Sequence, residues 1–318
     1  SIGDTQHDVF LELEQETKIL EDKKSKVKYL GVVWAEKIPV KKFTSIPAVG
    51  NSANVAIGCS RLGLKTAFYT VLGSDITGKE EFKVFKKEKV ATEYIVWDRK
   101  RQSNFSAVLN YKGERTILVH HEHRLYALPK LAPSKWLYLS SLGPGFEKLH
   151  SQIPSYLKKH GVDMGFNPGS FQMKAGLKKL GPVIRLSKVF FVNKEEAETL
   201  LKKRADIKTL LKSLHRLGPK IVVITNGPKG SYAFDGSSVL YLSVFPAPIV
   251  ERTGTGDAYS TGFLGALASG KSVGEAMRWG TFNSASVLQH IGAREGLLLK
   301  AAMTKLVRNN KRFQPKKI

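Results

Sequence analysis

Strand-like and helix-like hydrophobic patterns alternate along the chain. The runs Val189-Phe190-Phe191-Val192 and Ile221-Val222-Val223-Ile224 are continuously apolar, as strands buried on both faces of a parallel sheet are. These predict strands over 188–192 and 220–225, and further strands are expected over 8–14, 66–72, 105–111, 115–119, 136–141, 163–166, 231–235 and 238–244. Apolar positions spaced three and four apart predict helices over 52–62, 78–88, 145–160, 194–203, 206–217, 257–269, 272–290 and 295–308. Crossover helices between apolar strands imply an α/β fold, a doubly wound, mainly parallel sheet with helices on both faces. Two regions break the rhythm. Residues 15–46 carry β-type segments (27–34, then 38–43) and no strong helix, and residues 96–120 read as a hairpin closed near Tyr111-Lys112-Gly113. No repeat or low-complexity linker divides the chain, so 1–318 reads as a single domain.

The most informative chemistry lies in Glu251-Arg252-Thr253-Gly254-Thr255-Gly256-Asp257, which follows the strand pattern of 238–244 and opens a helical one. Glycines on either side of Thr255 let the backbone turn tightly and let N–H groups approach an anion. The helix start adds unpaired N–H donors and the positive end of a dipole. Asp257 places one carboxylate at the edge of that pocket. The pairing suits phosphoryl transfer, in which the backbone holds developing negative charge while the carboxylate takes a proton from the attacking hydroxyl. The same spacing also describes an ordinary helix start with Asp257 complementing the dipole.

Charge and cysteine content narrow the alternatives. Lys and Arg total 51 against 27 Asp and Glu, a net charge of +24. Such a field attracts anions, among them ATP, phosphorylated sugars and nucleic acid. Seven of the basic residues fall between Lys300 and Ile318 with no acidic one, and read as a solvated tail. No helix-turn-helix, zinc finger or RNP-type motif accompanies them, which argues against specific nucleic-acid binding. No apolar run reaches the roughly 18–20 residues of a membrane span, no signal-peptide pattern is visible, and the single cysteine, Cys59, reads as a packing residue. Together these give a cytoplasmic reading. His120-His121-Glu122-His123 matches no zinc spacing, and neighbours on a strand point to opposite faces.

The Glu251 segment resembles the C-terminal signature of the ribokinase (PfkB) family of carbohydrate kinases, D-T-x-G-A-G-D-x-F-x-x-G-F. Gly254, Gly256, Asp257, Gly262 and Phe263 match and Tyr259 is a conservative aromatic, while Glu251-Arg252 stand for Asp-Thr and Thr255 for Ala. The likeness continues in order along the chain. Gly3-Asp4 leads to Asp8, where the family has its first strand and a sugar-binding Asp. Val49-Gly50-Asn51-Ser52-Ala53-Asn54 is similar to G-G-x-x-x-N, which contacts sugar hydroxyls. Gly73 to Gly78, Lys112-Gly113-Glu114-Arg115, Asn193-Lys194-Glu195-Glu196 and Thr225-Asn226-Gly227-Pro228-Lys229-Gly230 fit further family elements.

The resemblance implies an ATP-dependent kinase of a small sugar, with a nucleoside kinase of the same superfamily as the alternative. A basic scaffold or nucleic-acid-binding protein on a decayed kinase fold is the reading from a different class. Asp257 would be the catalytic base, with Gly254, Thr255 and Gly256 as the anion hole. Asp8, Gly50, Asn51 and Asn54 would hold the substrate. Asn193, Thr225, Gly227, Gly230 and Asn283 would border ATP, and Glu196 would organise Mg²⁺ through water. The irregular segments 15–46 and 96–120 would form a small β-sheet lid over the sugar, through which a homodimer would form. The family often places K⁺ near the anion hole, and Glu251-Arg252 argue against that here.

Overall fold

The computed structural model describes residues 1–14, 17–112 and 114–318. In chain order the strands and helices are β1 (Gln6–Leu13), β2 (Thr17–Glu21), β3 (Lys28–Val32), β4 (Val40–Val49), α1 (Asn51–Arg61), β5 (Thr70–Gly73), α2 (Ile76–Lys87) and β6 (Ile95–Asp98). They continue with β7 (Phe105–Tyr111), β8 (Glu114–His120), β9 (Trp136–Leu139), α3 (Glu147–His160), β10 (Asp163–Phe166), α4 (Ser170–Leu186), β11 (Val189–Asn193) and α5 (Lys194–Leu201). The remainder are α6 (Ile207–His215), β12 (Ile221–Thr225), β13 (Ser231–Phe234), β14 (Val239–Leu242), α7 (Thr255–Ala268), α8 (Val273–Val287), α9 (Lys300–Asn309) and β15 (Lys316–Lys317).

The central sheet runs in the order β15-β14-β13-β12-β11-β10-β9. Strands β9 to β12 are parallel, and β13, β14 and β15 add antiparallel. Beyond β9, Ile2 makes parallel bridges to both Leu139 and Tyr69, which brings the parallel pair β5–β6 alongside. The apolar runs explain themselves here. Successive strand residues face opposite sides. Phe190, Val192, Val222 and Ile224 pack under α3 to α6, and Val189, Phe191, Ile221 and Val223 pack under α7 and α8. Both faces are therefore dry, as the parallel reading requires.

A second sheet, β4-β1-β7-β8, forms the small β layer, with β2–β3 as a separate ribbon. The strand expected over 8–14 is β1 and belongs to this second sheet, whereas Ile2 bridges β9 of the central sheet to Tyr69. The layer also takes in β1 and all of β4 to Val49, so it reaches beyond 15–46 and 96–120. The turn residue Gly113 lies outside the described residues, as do Gln15 and Glu16. Helix α4 was not expected at all. Gly176, Gly181 and Pro182 interrupt its pattern, and Gly176 (φ 72°) kinks it. No helix among the described residues is long and apolar enough to cross a membrane.

Candidate active site

Gly254 caps the N-terminus of α7 in the left-handed region (φ 75°, ψ 4°). A Cβ there would lie 2.2 Å from the Ala293 Cβ, so only glycine fits both the torsion and the space. Open space surrounds the equivalent point on Gly256. The N–H groups of Gly256 and Asp257 have no acceptor among the described residues, as expected of a helix first turn awaiting an anion.

Asp257 is buried beside these donors, 9% exposed. Asn54 Nδ2 donates to its Oδ2 at 2.7 Å, and the buried Asn54 Oδ1 has no partner among the described residues. Burial lifts the Asp257 carboxyl to about 6, the Asn54 hydrogen bond opposes this, and the negative charge of Glu196 adds to it. Helix α1 delivers Asn54 because it crosses α7 closely: a Cβ on Gly58 would meet Thr261 Cγ2 at 2.4 Å. Gly50 caps α1 at φ 121°, while Val49 ends β4 opposite Gln6.

The acceptor side holds two more of the expected residues. Asp8, 6% exposed, accepts from Gln6 Nε2 at 2.9 Å, and burial raises its carboxyl to about 6. Asn51 shares a cavity of about 360 Å³ with Ser141, Asn193 and Glu196. Asn193 and Glu196 form a reciprocal cap on α5: Asn193 Oδ1 accepts from Glu196 N–H and Glu196 Oε2 accepts from Asn193 N–H, both at 2.8 Å. This leaves Glu196 Oε1 for another partner, and burial pushes its carboxyl upward. Glu195 and Glu196 both line this cavity, and one or two carboxylates suit Mg²⁺, which keeps much of its water and binds together with phosphate.

Thr225, Gly227 and Gly230 line a cavity of about 310 Å³ that ends at Thr255 and Gly256 and has apolar walls at Phe245 and Leu288. Asn283 does not line it, which corrects the expectation that it borders ATP. Its Nδ2 donates to Ala258 O at 2.7 Å and its Oδ1 accepts from Leu298 N–H at 2.9 Å, so both ends of the buried amide clasp the protein. From the same helix, Thr281 and Ser284 reach the cavity instead, and Ser284 Oγ donates to Thr255 O. Nothing in the local sequence pattern separates these positions, because all lie in one turn of α8.

Glu251 is fully engaged. Oε1 accepts from Arg115 Nη1 and from Thr253 N–H, both at 3.0 Å, and also from Thr253 Oγ1, while Oε2 accepts from Gly292 N–H at 2.8 Å. Arg252 lines the nucleotide-side cavity. His120, exposed at the end of β8, lies 3.4 Å from Glu122, whereas His121 packs edge-on against Phe171.

This chain is similar to proteins of known class. An uncharacterised sugar kinase of Archaeoglobus fulgidus is 28% identical over 249 residues, covering 76% of this chain and 98% of that protein. A nucleoside kinase of Methanothermobacter thermautotrophicus is 22% identical over 255 residues, 78% of this chain and 80% of that one. The fold matches Arabidopsis thaliana ribokinase complexed with ribose and ATP at a TM-score of 0.80 and 21% identity, over 96% and 97% of the two chains. The profile of the pfkB family carbohydrate kinases matches residues 33–300, well over half of the sequence. A match of that span, on a frame that sets a buried carboxylate beside free helix N–H groups, makes this chain a member of the pfkB family of carbohydrate kinases, a sugar or nucleoside kinase.

Proposed function

We propose that this kinase moves the γ-phosphoryl group of ATP to a hydroxyl of a small sugar. The observation that carries the reading is the Asn54–Asp257 hydrogen bond, which locks a buried carboxylate between the helix that faces the acceptor and the helix that cradles anions. Asp257 takes the proton of the attacking hydroxyl. The free N–H groups of Gly256 and Asp257, with Gly254 and Thr255 shaping the turn, stabilise charge on the transferred group. ATP lies along the cavity bordered by Thr225, Gly227 and Gly230. Asn193 and Glu196 would hold Mg²⁺, which would neutralise phosphate charge.

Asp8, Asn51 and Asn54, with Gly50 permitting the turn, offer hydroxyl partners on the acceptor side, and the buried Asn54 Oδ1, without a partner among the described residues, supports a polyol there. The lid presents Phe43 and Leu118 to solvent, 62% and 56% exposed, which supports a homodimer through that face.

The test is ADP formation with ATP and Mg²⁺ across a panel of sugars and nucleosides, with Asp257→Asn as control. A phosphorylated sugar, absent with the control, upholds the reading. Phosphorylation of nucleosides alone moves the acceptor class. Tight duplex binding at physiological salt with no phosphorylated product favours the basic scaffold and overturns the proposal.

A further inference from the structure

We infer that Arg115, on the lid, is a positioning residue for phosphoryl transfer: it holds Glu251, and through Glu251 it fixes the loop that forms the anion hole. The inference rests on the kinase reading. Glu251 collects donors from three separate segments. Thr253, two residues on, gives its N–H and hydroxyl and so sets the path of the chain into Gly254. Gly292 gives its N–H, and its neighbour Ala293 is the residue against which Gly254 packs. The two loops therefore meet twice, once through Glu251 and once through Gly254. The last donor, Arg115 Nη1, comes from 136 residues away on β8.

Strand β8 is exposed along its whole length. Among the described residues, the Arg115–Glu251 contact is the one side-chain hydrogen bond from this strand to the anion-hole loop. The Glu251 side chain is 13% exposed and that of Arg115 35%, so the carboxylate is sheltered and the guanidinium caps it from the lid side. Without that cap, a sheltered carboxylate keeps its backbone donors but loses its only cationic partner among the described residues. Asp8, an expected acceptor ligand, lies within electrostatic reach of both groups. The consequence is a latch. The lid strand near the acceptor and the loop that stabilises the transferred phosphoryl share one ion pair, so the anion hole is held in shape when the lid sits as it does here.

The test compares Arg115→Ala, Arg115→Lys and Arg115→Ala/Glu251→Gln with the parent protein by two independent readouts. Amide hydrogen exchange at 251–257 and 290–294 requires no substrate, and exchange in both segments rises in Arg115→Ala and less in Arg115→Lys. On whichever acceptor the parent phosphorylates, Arg115→Ala lowers kcat by ~10–100-fold with the ATP KM little changed, as loss of transition-state positioning requires. Millimolar guanidinium restores turnover to Arg115→Ala but not to the double variant, which has no carboxylate to receive it. Arg115→Lys keeps the charge without the planar fork and guards against misreading a misfolded protein. Unchanged exchange, or a loss confined to the acceptor KM, overturns the latch. A parent protein that phosphorylates nothing overturns the kinase reading instead, and the exchange data still decide the latch.

Discussion

The central sheet and the lid sheet are built from the same kind of strand and treat water in opposite ways. The first four residues of β11 are buried, as are those of β12, whereas every residue of β8 is exposed and so are the first four of β4. The central sheet is covered by helices on both faces and carries the residues proposed to handle phosphate at its strand ends, where open α/β sheets bind ligands. The lid leaves apolar side chains uncovered, Phe43, Ile117 and Leu118 among them. The contrast teaches a division of labour. Stabilising charge on a phosphoryl group needs preorganised donors that do not move. Admitting an acceptor and then excluding water needs a surface that can come and go.

The largest test of this division is Asp257→Asn, which keeps the shape and removes the proton acceptor. Turnover should fall on the order of 10²-fold or more with ATP affinity little changed. Steady-state kinetics and ATP titration check it, and near-normal turnover would detach the carboxylate from the chemistry.

Gly254→Ala attacks the rigid half through stability. The added methyl group meets Ala293, and the torsion disfavours any side chain. A loss of about 1–3 kcal/mol in denaturant unfolding is expected. An unchanged midpoint would mean that the loop relaxes freely.

The third prediction concerns pH. With its carboxyl near 6, Asp257 is ionised above that pH and protonated below it, so if it is the base as proposed, kcat/KM should fall as pH drops through about 6. Asn54 donates to the ionised form and so lowers this value. Asn54→Ala should therefore move the acid limb to higher pH. A limb that moves down, or stays fixed, would show that another group sets it.

The smallest expected effect is in the lid. Leu118→Lys, on the exposed face, should change folding stability by less than about 0.5 kcal/mol while weakening self-association. Sedimentation velocity against protein concentration separates the two. A large fall in melting temperature of the isolated chain would erase the contrast between the sheets.

The two sheets also differ in how legible they are from sequence. The central strands announce themselves because double burial leaves no polar position to confuse the pattern. The glycine loop, Asp257, the Asn193–Glu196 cap and the Thr225–Gly230 turn follow from local backbone needs; Thr255 and Gly256 share one cavity with Thr225, Gly227 and Gly230, and Asn193 and Glu196 line another with Asn51. Position in space is harder to read. Asp8 heads an alternation that is a good strand in either sheet, and only its pairing with β4 and β7 decides which. Asn283 looks like any helical amide until Ala258 and Leu298 are seen to consume both of its ends. Glu81 sits in an expected helix but is completely buried, and burial pushes its carboxyl well above the ordinary value. Arg115 and Glu251 are 136 residues apart, so no window of sequence contains their contact.

The Asn54–Asp257 bond spans 203 residues, and it sets a limit on how early the protein can become active during folding. Ile2 adds to this by pairing with Tyr69 and Leu139, so the join between β9 and the β5–β6 pair also waits on distant chain. Closing such long loops costs entropy before any contact offsets it, and topologies rich in such contacts fold slowly. Local helices such as α6 can form early, but the proton acceptor acquires its partner only when α1 and α7 dock. Recovery of turnover in a refolding experiment should therefore trail the return of helical circular dichroism, because the Asn54–Asp257 pair exists only in the assembled chain.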